Sequence, residues 1–173
     1  GGMQRVSGET AGLPKVSLSA CPAFLFEGKL TGSRTTEVRM YTTITAQEVL
    51  KQKKGYGYWA VAPMTTTYDA LELMAEKDIG AVLVMDGSRL VGIFSERDYA
   101  RKVILKGRSS RSTTVAELMT SPAITAGPEL SLQECMVMMN GNHIRHLPVV
   151  KAGTVLGVLS IGDVLKMVIS CQD

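Results

Sequence analysis

Two stretches of the chain repeat one pattern of apolar and polar positions. Residues 68–77, YDALELMAEK, and 133–142, QECMVMMNGN, place apolar residues three and four apart, the spacing of an amphipathic helix. A short extended piece precedes each helix, WAVA at 59–62 and AITA at 123–126, with a proline turn between. Each helix is followed by an apolar run, IGAVLVM at 79–85 and IRHLPVV at 144–150, which predicts a buried strand. DGSR and KAGT then supply hairpin turns into second strands, LVGIF at 90–94 and VLGVL at 155–159. The second strands end in polar corners, SERD and SIGD, and these open the helices DYARKVIL and DVLKMVI. The predicted order is β-α-β-β-α, written twice.

The two halves are one repeat. Shifted by 65 residues, segment 59–104 falls on 124–169 without a gap. Pro63 meets Pro128, Met74 meets Met139, Ile79 meets Ile144 and Val84 meets Val149. Gly92, Ser95 and Asp98 meet Gly157, Ser160 and Asp163, so the corner G-x-x-S-x-x-D is doubled. A short leader also repeats at a different offset: TAQEVL at 45–50 resembles TVAELM at 114–119. The first copy therefore carries about four extra residues, in KKGYGY at 53–58. The organisation read here is an irregular segment 1–44, a first repeat 45–106, a basic linker 107–112 and a second repeat 113–173. A unit of this size is marginal alone, because it buries little surface. Two such units are expected to cover each other's sheets around a pseudo-twofold axis, in an α/β fold.

A tandem β-α-β-β-α repeat with this corner at the end of the second strand resembles a pair of cystathionine-β-synthase (CBS) domains, or Bateman module. The stretches GIFSERDYARKV, GRSSRST, IRHLPVV and SIGD are similar to those of bacterial and plant-organellar proteins made of a CBS pair. The resemblance implies a non-catalytic regulatory module that binds an adenine nucleotide between the repeats. AMP or a related adenosine compound is the first candidate and NAD(H) the second, with energy or redox sensing as the role. It also implies a homodimer formed through the helices, with the face of Val164, Leu165 and Val168 as candidate interface. Ala60 and Thr125, on the first extended pieces, are carried over as neighbours of the base. Ile79, Ile144 and Pro148 are counted with the residues that line the site.

The chemistry of the corners suits such a ligand. A ribose presents two adjacent hydroxyls, and one carboxylate accepts from both. Asp98 and Asp163 hold that position, while Ser95 and Ser160 offer hydroxyls three residues earlier. The alternative is plain helix capping, for which serine and aspartate are the preferred residues. Between Asp98 and Glu117 there is no acid, yet there are five cations. Arg108, Ser109, Ser110 and Arg111 in this span, and Arg97 within the first corner, are candidate phosphate contacts; the alternative is a solvated basic loop. Gly80 and Ala81 leave room for a flat base. In register with them, Arg145 and His146 suit a phosphate or the distal part of a dinucleotide.

Composition narrows the remaining classes. A net charge of +3 and 5% aromatic residues give no basis for a nucleic-acid surface, and no run of 18 apolar residues suggests a membrane span. No P-loop, G-x-G-x-x-G in a strand–helix setting or nucleophile–base pattern is present, so no enzyme is expected and no catalytic residue is assigned. His143 and His146 lack a third ligand, so no metal is assigned. Three widely spaced cysteines, Cys21, Cys135 and Cys171, form no disulfide framework; Cys135 is read as core. Most of the ten methionines are read as core filling. The segment 1–44 mixes cations with glutamates, and RMYT at 39–42 resembles a mitochondrial processing site. A mitochondrial matrix location is the expectation, the cytoplasm the alternative. No effector domain accompanies the repeats in this sequence, so output is expected through a separate regulated protein.

Overall fold

A computed structural model of the chain describes residues 44–53 and 57–170. The irregular N-terminal segment with its RMYT string, the middle of KKGYGY, and both Cys21 and Cys171 lie outside the described residues.

The first copy contains β1 (Ala60–Val61), α2 (Thr67–Lys77), β2 (Ala81–Asp86), β3 (Arg89–Ser95) and α3 (Glu96–Tyr99), after a leader helix α1 (Ala46–Gln52). α3 runs on into a wide π-helical turn over Ala100–Ile104. The second copy contains a 3-10 turn (Val115–Glu117), then α4 (Leu132–Gly141), β4 (His146–Lys151), β5 (Thr154–Ser160) and α5 (Ile161–Ser170). β2 and β3, and β4 and β5, are antiparallel hairpins whose registers match residue for residue at the 65-residue shift: Ala81 faces Ser95, and His146 faces Ser160. Both hairpin turns use positive φ, at Gly87 and at Ala152–Gly153, as two-residue turns require.

The copies differ in the first strand. β1 pairs parallel to β2, and the Leu83 amide donates to the Trp59 carbonyl at 3.0 Å. The residue in Leu83's place is Pro148, which has no N–H. The expected strand over 123–126 is therefore reduced to one parallel bridge, Ala126 to Val149. One missing donor accounts for a three-stranded sheet in one copy and a two-stranded sheet in the other.

Alternation along the strands sorts the core. Val82, Val84 and Phe94 pack under the first copy's helices with Leu73, Met74 and Val103. Leu147, Val149 and Leu159 do the same in the second copy with Leu132, Met139 and Val164. Between the sheets, Tyr58, Leu83 and Leu90 meet Val155. The layers run helices, sheet, sheet, helices. Cys135 is fully buried, as expected of core, and burial with the nearby Glu134 carboxylate pushes its thiol up to about 11. Met74 and Met139 are also core, whereas Met64 and Met136 are exposed.

Each leader is docked on the opposite copy. Ala46 and Val49 of α1 belong to the second copy's core, and Val115 and Leu118 belong to the first copy's. The N-cap threonines repeat the exchange. Thr45 bridges Ser131 at the start of α4, and Thr114 bridges Thr66 at the start of α2. The doubled glycine of the corner motif marks where a leader crosses. A Cβ on Gly92 would stand 2.9 Å from the Thr120 carbonyl oxygen and 2.6 Å from Met119 Sδ. A Cβ on Gly157 would stand 3.0 Å from Leu50 Cδ2. Thr120 is backbone and cannot yield, whereas Leu50 can rotate. Gly92→Ala is therefore expected to destabilise by about 1–3 kcal/mol, and Gly157→Ala by less. Urea midpoints of the two variants against wild type measure the difference.

Candidate functional site

The two corners have the same local construction. Ser95 Oγ accepts from the Asp98 amide, and Asp98 Oδ2 accepts from the Ser95 amide at 3.1 Å and its hydroxyl at 2.7 Å. Ser160 and Asp163 repeat this, with the amide at 2.7 Å and the hydroxyl at 2.6 Å. Each corner is thus a reciprocal capping box. Both aspartates are largely buried yet each also holds a lysine. Lys102 Nζ lies 2.7 Å from Asp98 Oδ1, and Lys53 Nζ lies 2.6 Å from Asp163 Oδ2. Capping and carboxylate display therefore coexist, and a ligand hydroxyl would compete with a lysine at either corner.

The corners meet across the seam between the copies. The His146 imidazole lies over Gly80, so that a Cβ on that glycine would stand 3.2 Å from its Cε1 and 3.6 Å from Glu96 Oε2. The room above Gly80 and Ala81, expected to be open to a base, is filled over Gly80 by this ring. Arg97 of the first corner donates to the His143 carbonyl of the second copy at 3.0 Å. Beside this link an open groove of about 560 Å³ runs along α4, lined by Arg97, Arg145, His143, Ile144, Met136 and Val137 among others. Two of the candidate cations thus share one concave surface with Ile144. Ile79 packs on the first copy's core, and Ala60 lines the space between the sheets. Thr125 is partly buried next to the Ala126 bridge, and Pro148 accepts from the Ala126 amide at 2.9 Å.

The linker cations have partners within the protein. Arg108 pairs with Glu117 at 3.2 Å, and Arg111 stacks on the Tyr68 ring at 4.0 Å. The carbonyls of Ser109 and Ser110 bind the backbone of Thr113 and Tyr68. The linker thus clamps the start of α2. The acid that closes the basic span, Glu117, is the one that neutralises Arg108.

Electrostatics set the second corner apart. Burial disfavours charge on Asp163, but the Lys53 ammonium and the Ser160 hydroxyl and amide outweigh it, holding the carboxyl below its usual range. Burial, with Lys53 nearby, lowers the pKa of His146 against a smaller opposing pull from Asp163. Lys53 stands outside every motif and was not among the residues singled out in the sequence. Its only signal there was membership of the extra KKGYGY insertion.

With the geometry in place, comparison with known proteins defines the class. The CBS domain family matches residues 57–104 and 115–170. A Burkholderia ambifaria protein with CBS domains is 46% identical over 75% of this chain and 96% of its own, with a TM-score of 0.72. The mitochondrial CBS domain-containing protein CBSX3 of Arabidopsis thaliana is 40% identical over 134 residues, 74% of this chain. This chain spans 65% of that relative's length. A hexameric CBS-CP12 protein from bloom-forming cyanobacteria is 26% identical over 76% of this chain, with a TM-score of 0.67. The chain belongs to the CBS domain family. Its two repeats form a tandem CBS pair, with each family match covering one copy.

The lowered pKa of His146 has a consequence for stability. Neutral His146 is favoured in the folded state, so the unfolded chain binds the proton more readily. Stability contributed by this group is present above the unfolded value of about 6.5 and is lost as pH falls toward the lower folded value. Thermal midpoints should drop between neutral pH and mildly acidic pH, and His146→Gln should flatten that slope. A slope unchanged by the substitution counts against this assignment.

Proposed function

We propose that the chain is a non-catalytic adenine-nucleotide-binding module that takes AMP or a related adenosine ligand at its corners and regulates a partner protein. CBS pairs in general are regulatory, ligand-binding modules. The observation that carries the reading is the doubled corner: two Ser–Asp capping boxes of one geometry, joined across one seam by the Gly80–His146 contact. Each aspartate accepts from the two hydroxyls of a ribose, and Arg97 and Arg145 face the phosphate from the adjoining groove. NAD(H) is the second candidate, because the groove extends past the seam along α4. The likeness to a mitochondrial relative supports a mitochondrial setting.

Calorimetry with AMP, ADP, ATP, NADH and S-adenosylmethionine tests this. Asp98→Ala and Asp163→Ala should each weaken binding by at least about tenfold, the worth of a charged hydrogen bond. Circular dichroism controls for the lost cap, about 1 kcal/mol. Equal, weak heats in wild type and both variants would sink the reading.

A specific observation also favours self-association. Of the face expected from the sequence only Leu165 is exposed, since Val164 is buried and Val168 packs on the core; Ile169 of α5 and Val137 and Met136 of the adjoining α4 complete an exposed apolar surface. A second copy laid on this surface gives a homodimer, in keeping with the hexameric assembly of the cyanobacterial relative. Leu165→Glu with Val137→Glu should convert a dimer to a monomer in sedimentation equilibrium. An unchanged mass would place the interface elsewhere.

A further inference from the structure

The two aspartates are held by lysines of different origin. At the first corner Lys102 is one helical turn beyond Asp98 and donates also to the Leu118 carbonyl at 2.6 Å. The second copy has Met167 at that position, buried in the core. Its aspartate is served instead by Lys53, at the C-terminal cap of α1 and 110 positions away in sequence. Lys53 Nζ lies 2.6 Å from Asp163 Oδ2 and donates to the Val158 carbonyl of β5 at 2.8 Å. The carboxylate is 12% exposed and the lysine 38%. The Lys53 position has no basic counterpart in the second leader, where the offset of 69 residues places Pro122.

We propose that Lys53 is an internal latch on the second corner, so that a ligand claiming Asp163 must release Lys53 and with it the C-terminal end of α1. This rests on the nucleotide reading above. The ammonium, the Ser160 amide and the Ser160 hydroxyl converge on one carboxylate oxygen. The Ser160 contacts belong to the capping box and survive ligand binding. A ribose whose two hydroxyls engage both carboxylate oxygens needs a place on Oδ2, and the lysine is the partner it replaces there. The rest of α1 stays anchored at its other end, where the Ala46 and Gln47 amides donate to the Leu130 and Pro128 carbonyls at 2.8 and 3.0 Å. Val49 and Leu50 also keep the helix seated on the second copy's core, so release frays the last turn of α1 from Lys53 backward rather than lifting the helix. That turn leads into the residues that join the leader to the first copy. At the first corner the tie runs the other way: Lys102 sits on the corner's own helix and holds the Leu118 carbonyl of the second leader. Occupancy of the second corner is thus relayed to the N-terminal leader, because its lysine comes from α1.

The test uses the full chain carrying Asp98→Ala, so that AMP reports on the second corner. Lys53→Met should tighten AMP binding by roughly fivefold, since the ligand no longer displaces a partly exposed ion pair. Saturating AMP should raise amide exchange over residues 49–53 of the Lys53-containing protein to the level of Lys53→Met without ligand. Weaker AMP binding in Lys53→Met would make Lys53 a phosphate contact and overturn the latch. Unchanged exchange in a protein that binds AMP would overturn it too. Should AMP bind neither protein, the nucleotide reading fails, and the latch is judged without ligand. Lys53→Met and Asp163→Asn must then each speed exchange over 49–53, and the double variant must add nothing. Additive effects would overturn the latch.

Discussion

The space that a side chain at residue 92 or 157 would fill is the space through which the opposite leader passes. At Gly92 the obstruction is the Thr120 carbonyl, and at Gly157 it is Leu50. This close approach lets α1 bury Val49 and Leu50 in the second copy while Val115 and Leu118 fill the first. A β-α-β-β-α unit of this size leaves enough apolar surface wet to be marginal on its own. Exchange of leaders, together with the sheet-to-sheet contact of Tyr58, Leu83 and Leu90 with Val155, supplies what each unit lacks. Everything at the seam depends on it, including the placement of both corners and the reach of Lys53 to Asp163.

Within that frame the copies diverge through single residues. Pro148 deletes a ladder hydrogen bond and reduces the second copy's first strand to one bridge. His146 stands where the first copy has Ala81 and projects over the glycine of the other copy. Met167 replaces Lys102, leaving Asp163 to a lysine from another segment. These substitutions make two corners of one geometry chemically unequal. One has a local counter-ion. The other has a distant counter-ion and a partly buried imidazole beside it.

The doubled pattern carried the fold, because period and turn chemistry act locally and were written twice. The capping role of Ser95, Asp98, Ser160 and Asp163 was readable for the same reason, since a capping box spans four residues. The leader exchange was not readable. TAQEVL and TVAELM show that leaders exist, but which copy they pack on is decided by contacts between segments far apart in sequence. The same limit hid the filling of the Gly80 space by His146 and the reach of Lys53. It also hid the engagement of the linker: a run without acids suggests phosphate contacts or a solvated loop, and neither reading includes Glu117 and Tyr68 folding back onto it. Pro148 could have been weighed from sequence alone, because a proline aligned with Leu83 cannot donate to the neighbouring strand.

The exchanged leaders also bear on how the chain is joined. Residues 107–112 connect the copies covalently, yet each copy grips a piece of sequence that lies on the other side of that connection. The two halves are interlocked much as two clasped hands are, and the linker is not the only thing holding them. A chain cut within 107–112 retains both grips, so its fragments have a reason to reassemble. A cut between a leader and the unit it precedes leaves the first unit joined to its plug and parts the second unit from α1. In such a molecule, order along the chain and order in space are partly uncoupled.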